Sequence, residues 1–193
     1  MVNPEHLARI IGTPVKLTLC GLDFAGKTAL LYRWKTGKFN PNLSPTLSPT
    51  LESVSIRGGL VSATVFDLGG QEKLRKQWKK YLEEGNAVIF VIDAYDKERY
   101  LEVKAEFNNR VIPELGEKPC VVICNKLDLI YKQNQKQSIN DLIIEVEKNI
   151  QKLLGLSIKK EDIGQFDVIA TSMVNGLGLK KIAQFLRLKL ASS

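Results

Sequence analysis

The stretch Val15-Lys16-Leu17-Thr18-Leu19-Cys20-Gly21-Leu22-Asp23-Phe24-Ala25-Gly26-Lys27-Thr28 decides the fold. Val15 to Cys20 reads as a β-strand, and Thr28 to Trp34 carries a helical pattern. Between them stand two glycines five positions apart, then a lysine and a hydroxyl residue, which is the spacing of a phosphate-binding loop. A strand before the loop and a helix after it let successive backbone N–H groups of Asp23, Phe24, Ala25, Gly26, Lys27, Thr28 and Ala29 surround a polyphosphate at the positive end of the helix. Lys27 neutralises its β and γ oxygens. Thr28 sets its hydroxyl on Mg²⁺, a hard cation that takes oxygen ligands and keeps several waters. A plain glycine-rich turn fits the residues too, but strand, loop and helix in this order weigh against it.

Outward from the loop, short apolar strings alternate with helical stretches. Leu51 to Asp67 reads as a paired strand region, and Ala87 to Asp93, Cys120 to Cys124 and Phe166 to Ala170 read as compact buried strands. Each is followed by helix signals, so the expected architecture is α/β, three-layered, with helices on both faces of a mostly parallel sheet of about six strands. Gly58-Gly59 between Ser53–Arg57 and Leu60–Asp67 is a hairpin signal, which makes one strand antiparallel. The strongest helix runs from about Ser138 to Leu154: Ser138 and Asp141 resemble a capping box, Leu142, Val146, Ile150 and Leu153 form a stripe, and Gly155 ends it. A final helix is expected near Leu179 to Leu190. The tandem pair Leu43-Ser44-Pro45-Thr46 and Leu47-Ser48-Pro49-Thr50 predicts an extended loop, because each proline biases its predecessor away from helix.

With 193 residues the chain is sized for one domain. Its charge balance, 28 − 21 = +7, with 25% charged and 44% apolar residues, is that of a globular protein and excludes disorder and fibrous repeats. The run Ala87 to Ile92 falls far short of the roughly 18 apolar residues that cross a bilayer. Cys20, Cys120 and Cys124, an odd number inside apolar strings, read as buried hydrophobes in a reducing, cytoplasmic compartment. Neither a signal peptide nor a lipidation site is expected at either end. The positive charge is spread along the chain without a nucleic-acid motif, so no nucleic-acid partner is expected.

The loop alone does not choose a base. Asn125-Lys126-Leu127-Asp128 follows the strand Val121 to Cys124, at the carboxyl edge where open parallel sheets hold ligands. Asp128 can accept from both the ring N–H and the exocyclic amine of guanine, a donor pair adenine lacks. Ala170-Thr171-Ser172, after the last strand, is expected to add a backbone N–H to the guanine carbonyl. Asp67-Leu68-Gly69-Gly70-Gln71 also ends a strand: Asp67 can hold Mg²⁺ through water, Gly70 can donate its N–H to a γ-phosphate, and Gln71 can orient an attacking water.

GLDFAGKT, DLGGQ and NKLD, in this order and at these separations, resemble the Arf/Sar family of small GTPases. LYRWKTGKF, QWKKYL and VIDAYDKER extend the likeness over nearly the whole chain. The double glycine and glutamine are closer to Arf/Sar than to Ras or Rab; PTLSPTLESVSI looks Sar-like, whereas Gln71 is Arf-like, since Sar proteins usually carry histidine there.

The resemblance implies a small-GTPase fold and a monomeric switch that binds GTP/GDP with Mg²⁺ and hydrolyses GTP slowly, with Lys27 and Gln71 as its catalytic residues. It further implies an exchange factor, an activating protein and effectors recruited in the GTP form. A threonine of the first switch loop is expected on Mg²⁺ and the γ-phosphate. Thr46, six residues before Glu52 as in the family, is favoured over Thr50, which is closer to Asp67. No arginine is placed as a catalytic finger in cis.

Residues 1–12 read as a short N-terminal segment before a GTPase domain spanning 13–193. Leu7, Ile10 and Ile11 form one helical stripe with His6 and Arg9 on its polar side, which reads either as a weak peripheral membrane contact or as cover for the protein's own surface. Lys73, Arg75, Lys76, Lys79 and Lys80 around Trp78 and Tyr81 read either as a solvated face or as a partner surface. Rival functions are a nucleotide-holding scaffold with negligible turnover and a P-loop kinase or ATPase.

Overall fold

The computed structural model describes residues 15–56, 61–156 and 165–190. The Gly58-Gly59 turn and the 1–12 segment lie outside them. In chain order the elements are β1 Val15–Cys20, α1 Lys27–Thr36, β2 Thr50–Ile56, β3 Val61–Asp67, α2 Glu72–Arg75, α3 Trp78–Glu84 and β4 Ala87–Asp93. A short 3₁₀ turn Lys97–Arg99 leads into α4 Tyr100–Glu106, a π turn Phe107–Val111 and α5 Ile112–Leu115. β5 Cys120–Asn125, α6 Leu127–Gln133, α7 Ile139–Leu154, β6 Phe166–Ala170 and α8 Leu179–Leu190 complete the described chain.

The strands form one six-stranded sheet in the order β2-β3-β1-β4-β5-β6. β2 and β3 are antiparallel, and the other pairings are parallel. Register brings the strand ends level: Leu19 lies beside Asp67, Asp93 beside Asn125, and Cys124 beside Ala170. The segments that follow β1, β3, β4, β5 and β6 therefore all leave the same edge of the sheet, where a ligand can meet them together.

Alternation along the strands feeds two cores. On one face Val88, Phe90 and Ile92 of β4 pack with Trp78, Phe107, Leu142 and Ile150. Aromatic rings run through it, Phe90 lying 5.0 Å from Phe107 and 6.4 Å from Trp78 between centroids. On the other face Ala87, Ile89 and Val91 pack with Leu30, Trp34, Ile182 and Leu186 of α1 and α8. A strand buried on both faces reads as a continuous apolar run, which is why the limits of β4 match the expected ones; those of the edge strand β6 match as well, although Asp167 there is exposed.

The helices follow their local signals. Ser138 accepts a hydrogen bond from Asp141 N at 3.1 Å and caps α7, and Gly155 ends it with φ 70°. The buried stripe is Leu142, Val146, Ile150 and Leu154; Leu153, expected in it, is only partly buried. Cys20, Cys120 and Cys124 are free thiols and fully buried. Among the described residues no helix is long and apolar enough to cross a membrane.

Candidate functional site

At the carboxyl edge of the sheet lies a cavity of about 400 Å³. Its walls come from the 21–28 loop, from the 39–46 segment, from Gly70 and Gln71, from Asn125, Lys126, Asp128 and Leu129, and from Met173 and Val174.

The loop's path is fixed by close packing. Gly26 has φ 101°, and a Cβ there would stand 2.2 Å from Asn125 Nδ2. That amide donates to Ala25 O at 2.9 Å, while Asn125 Oδ1 accepts from Met173 N at 3.2 Å and from Thr171 Oγ1 at 3.4 Å. Asn125 thus fastens the phosphate-type loop to both segments at the base end of the cavity. Gly70 approaches the same loop from the other side, where a Cβ would sit 2.2 Å from Asp23 N and 2.3 Å from the Leu22 carbonyl carbon. Backbone cannot yield at that distance, so the position demands glycine for contact rather than for conformation.

Lys27 is buried, and its ammonium donates to Gly21 O at 3.0 Å and Leu22 O at 2.7 Å. Burial lowers its pKa to about 8, against the opposing pull of Asp67, Cys20 and Asp23; Arg75 adds to the lowering. Asp67, 1% exposed, is pushed up by burial, with the Thr28 hydroxyl and Lys27 acting against the rise.

Thr28, Thr46 and Asp67 meet. Thr28 Oγ1 donates to Asp67 Oδ2 at 2.8 Å and lies 2.8 Å from Thr46 Oγ1, and Thr46 Oγ1 is 3.4 Å from Asp67 Oδ2. Asp67 Oδ1 is buried with no hydrogen-bond partner. One carboxylate with an unsatisfied oxygen and two hydroxyls make a set of hard oxygen donors that fits Mg²⁺. Among the described residues no group of three His, Cys, Asp or Glu side chains could hold a metal ion. Thr50, the other candidate, begins β2 and is exposed; it lies beside Asp67 through the strand ladder.

At the base end Asp128 lines the cavity and accepts the Ser172 hydroxyl on Oδ1 at 2.6 Å. Lys126, at φ 68°, pairs with Asp93 Oδ2 at 2.6 Å. Ala170 and Thr171 are near but face away: Ala170 N donates to Glu147 Oε1 at 2.9 Å and Thr171 N to Cys124 O at 2.8 Å. Their N–H groups bond within the scaffold here, and Met173 and Val174 of the same segment line the cavity. Arg33 of α1 holds that wall, its Nη1 donating to Met173 O at 2.7 Å and Val174 O at 3.0 Å.

Two further arginines reach the loop, and one of them departs from the expected arrangement. Arg75, expected in a basic cluster on the surface, is 2% exposed. Its Nε donates to Gly70 O at 2.7 Å, and its other nitrogens face Glu102 at 2.8 Å, Glu106 at 3.2 Å and Asp23 at 3.6 Å. Arg99 Nη2 pairs with Asp23 Oδ1 at 2.8 Å, and its Nε with Glu102 Oε2 at 2.8 Å. The hydrogen bond to Glu102 raises the Arg99 pKa, with a smaller contribution from Asp23. Guanidinium groups do stand beside the phosphate-type loop, but carboxylates hold them. Trp78, around which the basic cluster was read, is buried and donates from Nε1 to Gly69 O at 3.0 Å, so side chains from α2 and α3 pin both glycine carbonyls.

Comparison with known proteins agrees with this geometry. The model of the ADP-ribosylation factor family matches residues 6–190. Similar proteins include ADP-ribosylation factor J of Dictyostelium discoideum, 36% identical over 164 residues, which are 83% of this chain and 86% of that protein. ADP-ribosylation factor K of the same organism is 35% identical over equal coverage. Among solved structures, the Arl6 BBS3 small GTPase of Trypanosoma brucei with bound nucleotide analogue GppNp superposes with a TM-score of 0.63 at 26% identity, covering 93% of this chain and 98% of that one. With the family model matched over residues 6–190 and relatives more than a third identical over most of the sequence, the chain belongs to the ADP-ribosylation factor family of small GTPases, which bind GTP and GDP and hydrolyse GTP.

Proposed function

We propose that the chain is a two-state switch whose GTP form recruits effectors and whose intrinsic hydrolysis is slow. The observation that carries this is the 2.8 Å contact between Thr28 and Thr46, which ties the 39–46 segment to the phosphate end of the cavity beside Asp67. A segment held through one hydroxyl at that place is released when the groups it shares with a terminal phosphoryl are lost. Leu47 and Leu51, 69% and 62% exposed, flank it and offer apolar contact to an effector.

In this proposal Lys27 and the loop N–H groups bind the phosphates, Asp128 reads guanine, and Gln71, at the cavity wall, orients the attacking water. Thr28, Thr46 and Asp67 hold Mg²⁺, which when bound neutralises charge on the phosphate oxygens. Arg75 and Arg99 do not serve as fingers, because Glu102, Glu106 and Asp23 already engage them. An activating protein that supplies a free arginine therefore has room to accelerate turnover by about 10³ to 10⁵. An exchange factor is needed for the other slow step, nucleotide release. Membrane recruitment rests on Leu7, Ile10 and Ile11 alone.

Phosphate release from GTP-loaded protein tests the proposal. Wild type is expected to turn over slowly and Gln71→Leu more slowly still, with GTP affinity retained. Equal rates for the two, with or without an activator, overturn the role of Gln71. Pulldown with GTP-loaded against GDP-loaded protein tests effector recruitment, and vesicle flotation of the same two forms tests the membrane contact; equal capture or equal flotation of both forms counts against each.

A further inference from the structure

Among the described residues two that are not glycine have φ in the left-handed region, Phe24 at 60° and Lys126 at 68°. Lys126 is tied there by its ion pair with Asp93. Phe24 has a bulky side chain in a conformation that favours glycine, and the ring is 71% exposed at the rim of the cavity. Its neighbours on both sides fix the backbone. Asp23 is held by Arg99 through its carboxylate at 2.8 Å and its carbonyl at 3.3 Å, and the Ala25 carbonyl is held by Asn125 at 2.9 Å. Locked in this way, the residue presents an exposed side chain at the cavity that Asn125, Lys126 and Asp128 also line.

We propose that the Phe24 ring is an apolar cover on the open side of the bound nucleotide and slows its release. The inference rests on the nucleotide-binding reading of this cavity and adds a role for a side chain where the loop otherwise acts through its backbone. The physical grounds are strain and exposure together. A left-handed aromatic that packs into no core persists when surrounding bonds over-determine it, and such outliers gather at ligand clamps. An aromatic ring laid against a ligand removes apolar area from water and excludes solvent from the charges beneath, which strengthens their interaction with Lys27 and the loop N–H groups. Phe39, Pro41 and Leu43 line the same cavity, so the ring extends an apolar rim rather than standing alone.

Release of a fluorescent GDP, chased with excess GDP in the presence of Mg²⁺, tests this on the 193-residue chain. Phe24→Ala keeps the strained backbone and loses the ring; Phe24→Gly loses both; Phe24→Leu keeps apolar volume. Release is expected to be roughly tenfold faster in the Ala and Gly variants and within about twofold of wild type in Leu, as for a ring that loses part of its burial. The Gly variant is expected to melt no lower than wild type, which separates the effect from unfolding. Unchanged release from Ala overturns the cover. Faster release from Gly alone also overturns it, by assigning the effect to the backbone. A wild-type chain that retains no labelled GDP overturns the nucleotide-binding reading itself, and the cover with it.

Discussion

Ser172 donates its hydroxyl to Asp128 Oδ1 at 2.6 Å, joining the turn after β6 to the first turn of α6. The bond restrains the carboxylate that lines the base end of the cavity. Ser172→Ala is expected to weaken GDP binding roughly tenfold, the scale of one hydrogen bond to a charged group. The loss should be smaller for inosine diphosphate, which lacks the exocyclic amine, so competition between the two nucleotides checks the assignment. An unchanged preference for guanine would remove Ser172 from base recognition.

Thr46 and Thr50 stand in identical tetrapeptides but in different surroundings. Thr46 touches Thr28 and Asp67 through its side chain, whereas Thr50 is an exposed residue of the edge strand. Thr46→Ala is expected to speed Mg²⁺-dependent GTP release about tenfold, and Thr50→Ala to leave it within about twofold. GTP release measured with and without chelator distinguishes them, and the reverse ranking would exchange their roles.

Arg75 is the electrostatic joint between α2 and α4. Its removal leaves Glu106, which has a 14% exposed side chain, without that partner, and frees the Gly70 carbonyl. Arg75→Ala is expected to cost about 3 kcal/mol in urea unfolding, the lower range for breaking a buried pair. Arg75→Lys should recover only part, because an ammonium cannot copy the fork that reaches Gly70, Glu102 and Glu106 at once.

Glu147 couples α7 to the end of β6 by accepting Ala170 N at 2.9 Å. Burial raises its pKa, against the Ala170 bond and the Lys181 charge, while Asp167 adds to the rise. A carboxyl whose folded pKa lies above its unfolded value favours the fold fully below the unfolded value, and that favour is lost as pH rises through the folded one. Glu147→Gln keeps an acceptor for Ala170 and removes the titration. The variant is therefore expected to equal or exceed wild type in melting temperature at pH 7, and to lose the difference near pH 4. A lower melting point at both pH values would show that the charge itself is required.

The fold was legible because most of its information is local. Ala87–Asp93 announces itself as a short apolar run and Phe166–Ala170 as a short, mostly apolar one, and Ser138 with Gly155 brackets α7. Thr46 could be favoured by its spacing from Glu52, and the side-chain contacts with Thr28 and Asp67 fall on that residue. What could not be read was pairing across long separations. Arg33 reaches Met173 over 140 residues and Arg99 reaches Asp23 over 76, and nothing near either arginine marks its partner. Arg75 misled for the opposite reason, because Lys73, Lys76, Lys79 and Lys80 around it are exposed and it looked like one of them. The N–H groups of Ala170 and Thr171, read as base contacts, donate to Glu147 and Cys124, pairings visible only once helix and sheet are packed.

The three thiols carry a practical consequence. Cys20, at the root of the loop, has its pKa pushed up to about 12 by burial, and Cys120 and Cys124 in β5 are raised for the same cause. A thiol in that condition meets an alkylating reagent only when its strand opens. The protein therefore holds its own clock for opening, with one hand in β1 at the root of the loop and two in β5, next to the edge strand β6. If nucleotide slows alkylation of Cys20 more than that of Cys120 and Cys124, the loop end of β1 opens on its own; equal slowing of all three means that the sheet yields as one body.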